Sequence, residues 1–199
     1  MARTKQVSDE EVVAAALRGS LERGPALTLV EIGAEVGLSA ATVVQRFGSK
    51  RELMRRAIEL RRQCVRAVDF RGDGDAVSRI IEGLSGLSGW MKTPEHVANA
   101  TAVLHTDVAD REFRELIDAG FRDHRIMIAA TLDAGVASGQ LKPCDTAVVA
   151  RLLQLTLLGA WQSWAIEPRG ELEEWVAQCL GSCIGPLLMT SQEDLTTLT

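Results

Sequence analysis

Three local signals in the first third of the chain restrict its fold more than any property of the whole. Ser8, Thr28 and Ser49 are each followed three residues later by a glutamate, at Glu11, Glu31 and Glu52. In this pattern the hydroxyl accepts from an early helical N–H and the carboxylate reaches back to the capping residue. Each instance opens a run with helical apolar spacing, so each predicts a helix start. The first helix is expected from Ser8 to Arg23, with Val12, Val13, Ala16 and Leu17 inward, and Gly24-Pro25 ends it. A second is expected over 28–36, with Leu29, Ile32 and Val36 inward. Gly37 then supplies the left-handed residue that terminates a helix. Ser39 caps a third, Ala40 to Phe47, and Ser49 opens a fourth that runs towards Val68.

Residues 69–75 read as a break. Five further helices are expected beyond it, over about 76–91, from a Thr93 cap with Pro94, and over 110–137, 145–166 and 171–188. No stretch alternates as a strand does, and there is no internal repeat. The expected fold class is all-α: a three-helix helix-turn-helix segment over 1–52, followed by a larger helical domain over 53–199.

Net charge supports that division. Residues 1–66 hold 12 Lys/Arg against 8 Asp/Glu, a net +4; residues 67–199 hold 10 against 19, a net −9. A local positive surface, rather than a basic whole chain, is what phosphate contact requires. The apolar stretches 152–166 and 175–192 are interrupted by Gln154, Gln178, Ser182 and Pro186, so they read as buried helices rather than membrane spans. Cys64, Cys144, Cys179 and Cys183 have neither metal-site nor disulfide-framework spacing, which suggests a reducing cytoplasm. No nucleophile–base pair, metal motif or phosphate loop stands out, so no enzyme, metal site or cofactor is expected.

The second and third helices have helix-turn-helix length. A recognition helix fits the major groove. With Val43 and Phe47 inward, its outer face carries Ala40, Ala41, Thr42, Val44 and Gln45. Glutamine pairs with adenine, and valine touches a thymine methyl. Helix N-termini offer N–H groups to phosphates; Thr28, Lys50 and Arg51 stand at such ends.

The stretch from Leu27 to Leu53, and more broadly residues 8–60, resembles the TetR family. The resemblance rests on the apolar second helix, the Gly37-Leu38-Ser39 turn, Thr42 before the apolar pair Val43-Val44, and Phe47-Gly48-Ser49-Lys50 leading to Leu53. It implies a DNA-binding homodimer of nine- or ten-helix subunits, with helices 8 and 9 packed across the two-fold axis. It also implies a pseudo-palindromic operator and a ligand cavity enclosed by helices 4 to 8. By position it places Thr28, Ser39, Thr42, Val44, Gln45 and Lys50 where members touch DNA. Two residues depart from the pattern. Val44 replaces the usual tyrosine, and Ala41 a frequent glycine, which shifts weight to Gln45, Thr42 and Arg46.

In the helical domain, the eighth helix is apolar nearly all round, and the ninth carries a stripe from Leu172 to Leu187. They read either as a dimer interface or as the core of a monomer. Gly83, Gly86 and Gly89 suggest either close packing or space for a ligand. Trp90, Met91, Phe113, Phe121, His124, Met127, Trp161 and Trp164 are the candidate lining of a cavity for a small apolar effector. The expected function is a ligand-responsive repressor. The alternative is an effector-independent regulator or architectural DNA-binding protein.

Overall fold

The computed structural model describes residues 7–68, 70 and 74–188. Residues 69 and 71–73 of the expected break, and the last residues of the 175–192 apolar stretch, lie outside them. The described residues form α1 (Asp9–Arg23), α2 (Leu29–Glu35), α3 (Ala40–Phe47), α4 (Lys50–Arg66), α5 (Ala76–Gly86), α6 (Pro94–Ala109), α7 (Arg111–Ala137), α8 (Thr146–Ile166) and α9 (Leu172–Ile184). Short 3-10 turns cover Gly24–Ala26 and Gly185–Leu187, and no strand occurs among the described residues. The all-α expectation holds.

Two of the three capping boxes are complete. Ser8 accepts from the Glu11 N–H and Thr28 from the Glu31 N–H, while each glutamate accepts from its cap's backbone. The third is half formed. Ser49 accepts from the Glu52 N–H, but the Glu52 carboxylate turns to Arg55, at 2.8 Å, and towards Arg56. Cations three and four residues along the same helix outcompete the backbone donor. Ser39 and Thr93 cap α3 and α6 as expected.

Two helix ends were expected too far along the chain. The fifth helix stops at Gly86 rather than near 91, and turns follow to Trp90. Three glycines in seven residues weaken the ladder there. The ninth stops at Ile184 rather than 188, where Pro186 cannot continue it.

The chain forms two compact units. The first comprises residues 1–67 and 91–120, the second residues 68–90 and 121–199. In the first unit, Val12, Ala15, Ala16, Leu27, Ile32, Val43, Phe47, Leu53 and Ala57 make one buried cluster. Burying a side chain such as Ile32 or Phe47 contributes roughly 1.5–3 kcal/mol, so this cluster holds α1 to α4 together. Leu29 and Val36 pack at its edge, only partly buried. The helix-turn-helix turn is close-fitting: the Leu38 N–H donates to the Gly33 carbonyl at 2.8 Å, and a Cβ on Gly33 would stand 2.5 Å from the Leu38 carbonyl oxygen. Gly37 has φ +73°. Also in this unit, α6 packs on α1; the Asn99 amide donates to the Leu21 carbonyl at 2.7 Å.

In the second unit α9 packs on α8 and α5. Its core includes Ile80, Leu84, Ile128, Leu132, Leu153, Leu157, Trp164, Leu172, Val176, Leu180 and Ile184. The glycine strip divides. A Cβ on Gly83 would meet the Phe70 ring at 2.8 Å, so close packing accounts for that position. Nothing lies within 4 Å of the corresponding point at Gly86. The outer side of α8 bears Val148, Leu152, Leu155 and Ile166, 52%, 49%, 57% and 86% exposed. With Gly159 and Gln162, also exposed, they recur at spacings of four and three.

Candidate functional site

The recognition helix is built from one locked face and one open face. Val43 is fully buried and Phe47 nearly so, and the Arg56 guanidinium lies 5.1 Å from the Phe47 ring centre. Fixing these two positions turns Ala41, Val44 and Gln45 to the outside, all exposed, with Ala40 and Thr42 half-buried. Val44 is 42% exposed, an isolated apolar side chain on the surface. The Gln45 amide has no hydrogen-bond partner among the described residues. Both halves of its donor–acceptor pair are therefore open, as a base edge would require.

The other sequence candidates are tied more closely. Ser39 and Thr42 hydroxyls share a hydrogen bond at 2.9 Å, and Ser39 also accepts from the Thr42 N–H at 3.1 Å. The Thr28 hydroxyl donates to a Glu31 carboxylate oxygen at 2.8 Å, and the Thr28 N–H donates to the same atom at 2.8 Å. These bonds, with Arg23, hold the Glu31 carboxyl below the usual carboxylate range. Arg46 donates to the Val7 carbonyl at 2.8 Å and lies 3.6 Å from Asp9, so its guanidinium points back to the start of α1. Arg51 is clamped by Asp110 and Glu112, at 2.8 and 2.7 Å, over the Phe113 ring. Lys50 makes a single 3.2 Å bond, to the Pro25 carbonyl, and two of its three N–H donors remain.

The eight candidate effector-contact residues are distributed over both units. Met91 and Phe113 are buried and belong to the first. Trp90, Phe121, His124, Met127, Trp161 and Trp164 belong to the second. Trp90 is 51% exposed, and Phe121, Met127 and Trp161 are half-buried. Two tryptophans have internal partners: the Trp161 N–H donates to the buried Ser88 hydroxyl at 2.8 Å, and the Trp164 N–H to the Gly170 carbonyl at 3.1 Å.

His124 and Phe121 converge on Gln154, which sequence reasoning treated only as an interruption of an apolar helix. Gln154 is buried. It accepts from Arg125 at 3.0 Å and donates towards the Phe121 carbonyl at 3.3 Å and His124 Nδ1 at 3.4 Å. A side-chain amide that accepts from arginine through its oxygen presents its nitrogen to the histidine, so Nδ1 is the acceptor and Nε2 carries the proton. That Nε2 is buried without a partner. Burial drives the imidazole pKa down to about 4, so the ring is neutral at physiological pH. A single Gln inside Leu152-Leu153-Gln154-Leu155 was the available signal: a polar residue on an inner helical face needs a partner.

Groups of three or more His, Cys, Asp or Glu able to hold a metal ion do not occur among the described residues. No helix among them is long and apolar enough to cross a membrane.

Residues 12–57 match the family model described as "Bacterial regulatory proteins, tetR family". No curated protein matches the chain. Among solved structures, the chain is similar to a TetR transcription regulator from Haloarcula marismortui, with TM-score 0.72 and 20% identity over 91% of this chain and 98% of that one. A regulator from Saccharomonospora viridis, crystallised in complex with choline, gives TM-score 0.72 and 21% identity over 92% and 98%. SmeT, the repressor of the Stenotrophomonas maltophilia multidrug efflux pump SmeDEF, gives 0.66 and 22% over 94% and 93%. At such identities the likeness establishes the fold.

Proposed function

The chain carries the N-terminal domain of the bacterial regulatory proteins of the tetR family, and from that premise we propose that it is a cytoplasmic transcriptional repressor. In this reading it binds a pseudo-palindromic operator in double-stranded DNA as a homodimer and releases it on binding a small, mainly apolar effector. The observation that carries the reading is the outer face of α3. Its backbone is fixed from behind by Val43 and Phe47, and it presents Ala41, Val44 and an unpartnered Gln45.

In this assignment Gln45 and Val44 read base edges, and Ala40 and Ala41 permit close approach. Thr42 and Ser39 stand beside them at the head of the helix, and Lys50 meets a phosphate. Thr28 and Arg46 contribute less through their side chains, because Glu31 and Val7 already hold them. The homodimer is assigned to α8 and α9. An exposed apolar stripe at heptad-like spacing along α8 is what a helical seam between two copies needs. The effector is assigned to the second unit, where His124 offers an unmatched donor among aromatic residues. It shifts operator affinity only by its differential affinity for the two states.

The test is selection of bound fragments from a genomic DNA library by the purified protein, repeated with Gln45→Ala and Lys50→Ala. A two-fold-symmetric site is expected. Losing the lysine should weaken binding to all sequences and reduce the salt slope by about one unit. Losing the glutamine should relax one position per half-site. Failure of the folded protein to enrich any site at low salt refutes the reading. A site whose affinity no small molecule alters points to the effector-independent regulator.

A further inference from the structure

Within the first unit, a cleft of about 320 Å³ opens beside Pro25, Leu27, Met54, Val103 and Phe113, and Asp107 of α6 lines it. The volume falls at the lower end of the range for small-molecule pockets, roughly 300–1,000 Å³. Besides Asp107, its polar lining consists of Thr106, whose hydroxyl donates to the Ala102 carbonyl, and three charged groups. Lys50 is bonded to the Pro25 carbonyl, Arg51 is clamped by Asp110 and Glu112, and Asp110 is held by Arg51 in turn. Asp107 differs from them. Its residue is only 7% exposed, and its Oδ2 is buried with no hydrogen-bond partner.

An orphaned carboxylate oxygen at the wall of an apolar cleft is costly unless something donates to it. We propose that this cleft is a binding site for a small organic cation, an ammonium group on an apolar body, with Asp107 as its counter-ion and Leu27, Met54, Val103 and Phe113 enclosing the body. An ammonium supplies both the missing donor and the compensating charge, and a charge-assisted hydrogen bond is roughly twice as strong as a neutral one. Burial raises the Asp107 carboxyl above its ordinary range, and Arg61 opposes that only through its field. Of the eight candidate effector-contact residues, Phe113 alone is among those lining the cleft. Because Lys50 also lines it, occupancy reaches the residue assigned to a DNA phosphate. That consequence rests on the function proposed above; the binding itself does not.

The test uses the full chain without DNA, labelled with carbon-13 at the methionine methyls. Met54 reports the cleft and Met127 the second unit. Phenethylammonium is titrated, with the neutral 2-phenylethanol as its comparison. A saturable shift at Met54 is expected for the cation, with the alcohol binding about ten-fold more weakly. Asp107→Asn should abolish that preference, and Val103→Trp, which fills the cleft, should abolish the shift. No saturable shift at Met54, equal affinity for cation and alcohol, or a preference retained in Asp107→Asn overturns the proposal. Loss of DNA selection with this binding intact refutes the regulator reading alone.

Discussion

Acidification should destabilise this protein through one residue, by an amount the structure sets. His124 is 5% exposed, and burial lowers its pKa to about 4 from an ordinary value near 6.5. The folded state therefore refuses a proton that the unfolded state accepts. The unfolded chain binds more protons between these two values, so stability falls as pH drops through that window and this contribution is flat below it. At pH 4.5 the linkage corresponds to about 2.5 kcal/mol lost relative to neutral pH, a sizeable part of the roughly 5–15 kcal/mol typical of a folded protein. His124→Leu removes the titration and fills the site with an apolar side chain. It also removes a buried N–H that has no acceptor, so at pH 7 the variant should be no less stable than the parent. Urea unfolding of both proteins at pH 7 and 4.5, followed by far-UV circular dichroism, measures the difference directly. Parent and variant losing the same stability on acidification would show that His124 takes up its proton in the folded state, and would refute the orphaned, neutral tautomer.

Other expectations concern the first unit and the α8 stripe. Gly33→Val places a branched side chain where even a Cβ stands 2.5 Å from the Leu38 carbonyl. It should cost about 1–3 kcal/mol by overpacking, seen as a lower urea midpoint, and should weaken DNA binding by displacing α3. Arg51→Met removes the largest influence holding the Asp110 carboxyl down; its carboxyl titration, followed by NMR, should move up towards the ordinary aspartate range. Leu155→Glu introduces a charge at a 57% exposed position of α8. Sedimentation should show monomer for the variant and the proposed dimer for the parent, with the secondary structure unchanged.

Features governed by neighbours in sequence were legible in it. Ser8, Thr28, Ser39, Thr93 and the Val43–Phe47 pair announce their helices because caps and one-turn apolar spacing are properties of a few adjacent residues. Competition between partners was less readable. Glu52 has the same spacing from Ser49 as Glu31 from Thr28, yet arginines on the next turn take its carboxylate. The fifth helix was overextended because its end depends on whether Gly86 and Gly89 gain enough packing to offset their helix cost. Thr28 and Arg46 sit at sensible positions for DNA contact, but only the fold shows their donors engaged by Glu31 and the Val7 carbonyl. The convergence of His124, Phe121 and Gln154, and the isolation of Asp107, arise from residues far apart in the chain. No local pattern encodes them.

The stripe on α8 has a consequence for dose. Its apolar contacts are interrupted by Gly159 and Gln162, so a seam built on it between two copies gains less than an unbroken leucine row would give. Where the chain is present well below the concentration at which such a pair dissociates, the paired species grows with the square of chain abundance rather than in proportion to it. Halving the amount of protein would then cut the dimer to about a quarter. In the proposed homodimeric regulator, the polar and small residues in that row would thereby set how steeply its target responds to the level of the protein.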